Sequence, residues 1–289
     1  MTVELVLNVA VGGVLTGLVY GLMALGLSVI YGVVRVVNFA HGEMMTLAMY
    51  AAVVVFTAAG LDPLWMMPAI ALLLFALGWA LQRGLINRLI ERPEHAQFML
   101  LLAVATILLN GQLMVFGPTA RNVMVDYAFE SAAIGPLLID KVRLYAAGAA
   151  LAVAAALFLF FRFSRFGKAI RACADNHRGA LVVGLDVERL YALTFGIGAA
   201  CVGAAGAVMV LLVDATPALG PAYTLLAFII VIIGGLGSMP GALLGGVLIG
   251  LSEALAGLVF TPSAKSMFSF ALLVVVLLVR PQGLLGRRA

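Results

Sequence analysis

Long apolar runs separated by short polar clusters set the pattern of this chain. The first run lies between Glu4 and Arg35 without a single charge, and others follow at about 42–60, 64–82, 97–116, 143–161, 190–213, 222–235, 241–260 and 266–280. A helix needs ~20 apolar residues to cross the hydrocarbon layer, so most of these runs read as spans. The segment 222–235 is short and ends in glycines, which predicts a broken or partly re-entrant helix. The expected fold is all-α: one polytopic transmembrane bundle over 1–289, with nine crossings or eight plus a re-entrant segment.

Composition supports the pattern. Hydrophobic residues make up 64% of the chain and mean hydropathy is +1.18, against roughly 45–50% apolar residues in a soluble domain. No stretch of ordinary composition reaches domain size. The first run has no basic segment before it and is too long for a signal-peptide core, so it reads as a retained span.

Charge then gives direction. Net charge is +4, but the basic residues sit in short loops, which argues for topology rather than nucleic-acid binding. Arg83, Arg88 and Arg92 mark one cytoplasmic loop. Arg162, Arg165, Lys168, Arg171, Arg178 and Arg189 mark a second, and Arg280, Arg287 and Arg288 a third. Between the first two, Arg121, Lys141 and Arg143 are offset by Asp126, Glu130 and Asp140, so 117–143 reads as external, as does the loop around Asp214. The N-terminus is then external and the C-terminus cytoplasmic. The stretch 162–189 is too long and patterned for a mere connector and is read as a docking element for a cytoplasmic partner. The competing reading is that its arginines only fix topology.

Polar groups inside the apolar runs are the candidate chemistry. Asn38-Phe39-Ala40-His41-Gly42-Glu43 opens the second span. Asn38 suits a helix N-cap and Glu43 the positive end of the helix dipole. The alternative is that Asn38 and Glu43 face an aqueous translocation pathway from a half-helix start. His41 is expected to make a structural hydrogen bond, although a pathway role is kept beside it. Glu253 lies within a span, where a carboxylate must face protein or water, either lining the pathway or bonding a neighbouring helix. Cys173 and Cys201 lack metal-ligand neighbours and read as reduced thiols.

Gly234-Gly235-Leu236-Gly237-Ser238-Met239-Pro240-Gly241 reads as a bent turn at the cytoplasmic face. It is no phosphate loop, because no lysine follows the glycines, and Gly167-Lys168-Ala169 lacks the hydroxyl and upstream glycine. No catalytic residue, metal or cofactor is expected. Gly13, Gly17 and Gly21, with Gly241 and Gly245 and then Gly246 and Gly250, form small-residue faces. These serve internal packing or contact with a second membrane subunit.

With these residues in place, the chain resembles the shorter permease subunit of the high-affinity branched-chain amino-acid ABC importers. Tyr31-Gly32 with Asn38 to Glu43, Gly167 to Ala172 with Asn176 and Gly184-Leu185-Asp186-Val187, and Gly234-Gly235 through Gly241-Ala242-Leu243-Leu244-Gly245-Gly246 carry the likeness, in order along nearly the whole chain. Lys168 departs from the more common arginine and keeps the charge. The resemblance implies a bacterial inner-membrane machine. An external solute-binding protein delivers the amino acid, two related permease subunits form the pathway, and two cytoplasmic ATPase subunits drive it. It also implies a coupling helix from about Ala169 to Leu181, held by Gly167 and Gly184, with Lys168, Arg171 and Asn176 contributing to ATPase contact. The superfamily also moves urea, amides and sugars, so a small-solute permease is a competing reading. An ATP-independent secondary transporter and a passive channel are others, although no internal duplication supports the former.

Overall fold

The computed structural model describes residues 3–90, 92–135, 137–260 and 265–286, so Arg287 and Arg288 lie outside the described residues. Among the described residues, nine apolar helices occupy the nine expected segments. They are α1 (Val3–Val34), α2 (His41–Ala59), α3 (Pro63–Leu81), α4 (Glu94–Phe116), α5 (Lys141–Phe163), α8 (Val187–Met209), α9 (Leu219–Gly234), α10 (Met239–Val259) and α11 (Lys265–Val279). Two short helices, α6 (Arg165–Asp175) and α7 (His177–Val182), precede α8. Among the described residues seven helices are long and apolar enough to cross a membrane, whereas α9 and α11 are shorter.

The boundaries follow local chemistry. Asp62 caps α3 by accepting from the Leu64 N–H at 2.8 Å, with Pro63 at the first helical position. Ser164, Asn176, Asp186 and Ser238 cap α6, α7, α8 and α10 in the same way. A π-turn over Gln82–Ile86 and a 3-10 turn over Asn87–Leu89 extend α3.

The connections segregate to two faces. On one, the hairpin of β1 (Ser131–Ile134) and β2 (Leu137–Asp140), with Ser131 opposite Asp140, sits over the start of α1, where Asn8 accepts from the Leu138 N–H at 2.9 Å. Tyr127 donates to Asp62 at 2.7 Å, and Arg121 and Ala215 exchange backbone hydrogen bonds, bringing the loop around Asp214 to this side. Burial and the bonded Asp62 carboxylate push the Tyr127 phenol above its ordinary pKa, so it stays a donor. The opposite face collects the arginine-rich connections. There Asn87 bonds the Glu188 carbonyl, Gly32 packs on Gly237, and the Leu284 and Leu285 N–H groups bond the Ile233 and Gly234 carbonyls. The bent turn expected at Gly234–Gly241 is present, with Gly235 and Gly237 at φ 105° and 78°.

Glycine sets the packing. A Cβ at Gly17 would stand 2.6 Å from the Gly246 carbonyl, and one at Gly250 would stand 2.4 Å from the Gly13 carbonyl, so the α1 and α10 glycine faces lie against each other. Gly241 and Gly245 face the other way, onto Gly234 and Ile230 of α9. These faces serve packing within the chain. Helix α8 is surrounded: its glycines meet Ile30 of α1, Ala48 of α2, and Phe75 and Leu74 of α3. Close backbone approach substitutes for the hydrophobic drive that lipid does not provide.

Gly17→Val is expected to force α1 and α10 apart and to cost about 1–3 kcal/mol. A detergent melting curve should show the drop, whereas Gly148→Ala, with nothing within 4 Å of the added methyl, should melt like the parent.

Candidate functional site

Two helices begin in the interior of the bundle rather than at its surface. After Val34, Arg35 adopts φ 58°, a left-handed conformation costly for a side chain, and the chain doubles back along α1. Val36, Asn38 and Ala40 are buried on this return. The His41 Nε2 lies 2.9 Å from the Met23 carbonyl. Met23 is eleven residues before the end of α1 (34 − 23), which places the start of α2 about 16 Å inside at 1.5 Å per residue.

Helix α9 begins at a similar depth from the opposite side. Ala215, held near the hairpin face by Arg121 and by the Tyr50 hydroxyl at 3.4 Å, leads through Pro217 to Leu219. Gly220 then lies so close to Gly42 that a Cβ on Gly42 would be 1.9 Å from its carbonyl oxygen. From this shared level α2 runs to the hairpin face and α9 to the arginine-rich face.

Thr224 joins the two starts. Its hydroxyl accepts from the Gly42 N–H at 2.8 Å and lies 3.3 Å from the Phe39 carbonyl and 3.2 Å from Glu43 Oε2, either of which it can donate to. Glu43 is buried, at 4% exposure, in the first turn of α2 and beside Gly220 in the first turn of α9. Its carboxylate therefore lies at the positive ends of two helix dipoles. Its backbone carbonyl accepts from Gln112 of α4 at 3.0 Å, which brings a third helix to the junction.

Asn38, His41 and Glu43 are all buried here, each bonded to a different partner. One detail differs: Asn38 is not the N-cap of α2. That position is Ala40, which has no side-chain bond, and Asn38 instead accepts from the Ala40 N–H at 3.1 Å in a turn just upstream. The cap is dispensable because Thr224, from another helix, satisfies the first-turn donor. His41 makes the expected structural bond. Glu253 lies elsewhere, on α10, where Ser269 of α11 donates to it at 2.9 Å and Tyr20 of α1 also bonds it.

The loop 162–189 departs further from expectation. The single helix from Ala169 to Leu181 is two helices, because Asn176 takes an extended conformation (φ −150°) and caps α7 through the Gly179 N–H at 2.9 Å. Gly167 lies within α6, not before it, against the Phe160 carbonyl, where a Cβ would approach to 2.4 Å. Gly184 does terminate the unit, at φ 81°. Ile170, Cys173 and Ala180 are buried and anchor the pair to the bundle, and burial raises the Cys173 thiol pKa, keeping it protonated. Lys168 and Arg171 are exposed.

The sequence reading missed the tip. Leu181, Val182 and Val183 are 55%, 88% and 75% exposed at the end of α7. Three apolar residues just before Gly184, in a basic loop, were the available signal.

Compared with known proteins, residues 9–277 match the model of a family described as the permease component of the branched-chain amino acid transport system. The chain is 32% identical to the high-affinity branched-chain amino acid transport system permease protein LivH of Escherichia coli strain K12, over 95% of this chain and 94% of that one. It is also 32% identical to the permease protein BraD of Pseudomonas aeruginosa, over 96% and 94% of the two chains. A probable branched-chain amino acid transport permease protein LivH of Methanocaldococcus jannaschii is 25% identical over 92% of this chain and 88% of its own. No solved structure matches.

Proposed function

Because this chain belongs to the family of branched-chain amino-acid transport permease components, we propose that it is the membrane-spanning subunit of an ATP-driven importer of branched-chain or other hydrophobic amino acids. The observation that carries this reading is the extent of the family match, from residue 9 to residue 277, which takes in the junction of α2 and α9 and the α6–α7 projection together. Separate cytoplasmic subunits hydrolyse ATP, an external binding protein supplies the solute, and a second related permease subunit completes the pathway in the inner membrane. The excess of arginine on one face supports an external N-terminus and a cytoplasmic C-terminus.

The geometry supports a mechanical route between these parts. The exposed Leu181-Val182-Val183 tip, with exposed Arg171 on α6 and Arg178 on α7, combines the apolar and charged groups of a protein-docking element. Gly167, Lys168 and Arg171 lie on α6, and Asn176 and Gly184 shape α7, so all five act through this projection. Its buried side, through Ile170 and Cys173, transmits force to α5 and α8, between which it is strung. Helix α8 packs against α2 through Gly206, and α2 begins at the Glu43 junction. A push on the projection therefore reaches the level where α2 and α9 start, the level at which broken transporter helices bind and gate solute. Asn38, His41 and Glu43 border the pathway there.

Vesicles containing the assembled importer should take up leucine only with ATP and the ATPase subunits present; uptake that persists without them would make the chain a channel or secondary transporter. Glu43→Gln, which keeps the shape but removes the charge at the junction, should lower that uptake about tenfold. Unchanged uptake would leave Glu43 a purely structural cap. Val182→Asp should weaken co-purification of the ATPase about tenfold, as expected for a central apolar contact, with membrane insertion unaltered; full recovery of the ATPase would exclude α7 as the docking tip.

A further inference from the structure

A cavity of about 440 Å³ opens in the half of the bundle nearer the hairpin, walled by α1, α5 and α10 and the end of α8. Its polar lining is concentrated in Tyr20, Arg143 and Glu253, and its apolar lining includes Met209, Leu212 and Leu258. We propose that this cavity is an entry subsite for a zwitterionic amino acid, with Glu253 receiving the α-ammonium, Arg143 the α-carboxylate, and the apolar wall the side chain. The proposal rests on the importer reading above and names a site on its pathway.

Three observations carry it. The two opposite charges come from different helices, Arg143 from the third residue of α5 and Glu253 from within α10, yet line one space. Both are held in place: Glu253 by Ser269 and Tyr20, and Arg143 through its Nε to Asp140 at 3.2 Å. A carboxylate has about four acceptor sites and a guanidinium five N–H donors, so each can engage another partner besides these. Lastly, Gly12 leaves room for the guanidinium, since a Cβ there would stand 2.4 Å from Arg143 Nη1. An apolar residue at Gly12 would evict the positive end of the site.

The physical logic is charge complementarity at both ends of the solute. A zwitterion entering a partly apolar space loses hydration at both ends, and entry is tolerated only where each end meets a fixed opposite charge. A solute lacking either charge makes only one of the two contacts. The volume falls in the range of ~300–1,000 Å³ typical of small-molecule sites.

Thr16, which also lines the cavity, provides the test. In the complete permease–ATPase complex in nanodiscs, the T16C variant is exposed to a small methanethiosulfonate reagent. The parent chain supplies the background, because Cys173 and Cys201 are buried. Millimolar L-leucine should slow the modification, whereas L-leucinamide, lacking the carboxylate, and 4-methylpentanoate, lacking the ammonium, should not at equal concentration. Adding E253Q or R143Q should raise the half-protecting leucine concentration about tenfold, the loss expected when one member of a charge pair is removed, and R143K should recover part of it. The subsite is overturned if T16C is unreactive, if leucine does not protect, if both analogues protect as well as leucine, or if protection survives both charge removals. Leucine uptake by the parent importer with no protection of T16C sinks the subsite alone; absence of amino-acid uptake sinks the importer reading and the subsite with it.

Discussion

A backbone N–H or C=O inside a bilayer has no water to turn to, and this requirement governs the arrangement at the centre of the molecule. Two helices start there, each leaving first-turn donors that would be costly unpaired. The solution is reciprocal: the Thr224 side chain of α9 completes the first turn of α2, and the Glu43 side chain of α2 lies against the first turn of α9. The glycines at 42 and 220 make this possible, since any side chain at Gly42 would collide with the facing backbone. Without the mutual arrangement, neither helix has a reason to begin at that depth.

Much of this was legible in the sequence. All nine apolar segments became helices with boundaries displaced by only a few residues, because bilayer thickness and helix rise constrain length so tightly. The short segment 222–235, read as broken or partly re-entrant, is a continuous helix, Leu219–Gly234, shorter than the seven long ones. The cluster from Asn38 to Glu43 was recognisable as unusual, since strongly polar groups in an apolar run demand an explanation. Its partner was not recognisable: Thr224 is one hydroxyl in an apolar helix, more than 180 residues away in the chain, and only folding identifies it.

The errors have physical origins too. Asn38 has the chemistry of an N-cap, but Asn also bonds its own backbone two residues on, and here that competing turn prevailed. The continuous coupling helix failed at Asn176 for the same reason, since its side chain caps the next turn rather than sitting in the last. Gly167 sits inside α6 rather than ahead of a helix starting at Ala169, and its lack of a side chain lets α6 fold tightly back on the end of α5. The glycine stripes, ambiguous between internal and intersubunit contact, found each other across α1 and α10.

The C-terminal tail carries a mechanical implication. By donating the Leu284 and Leu285 N–H groups to Ile233 and Gly234, it staples the lower end of α9 with main-chain bonds, while the upper end is held by a hydroxyl, a carboxylate and close glycine contact. Helix α9 is thus a post clamped at its foot and merely latched at its head. Any tilt it undergoes pivots about the tail, and the greatest excursion falls at its start, beside Gly42 and Glu43.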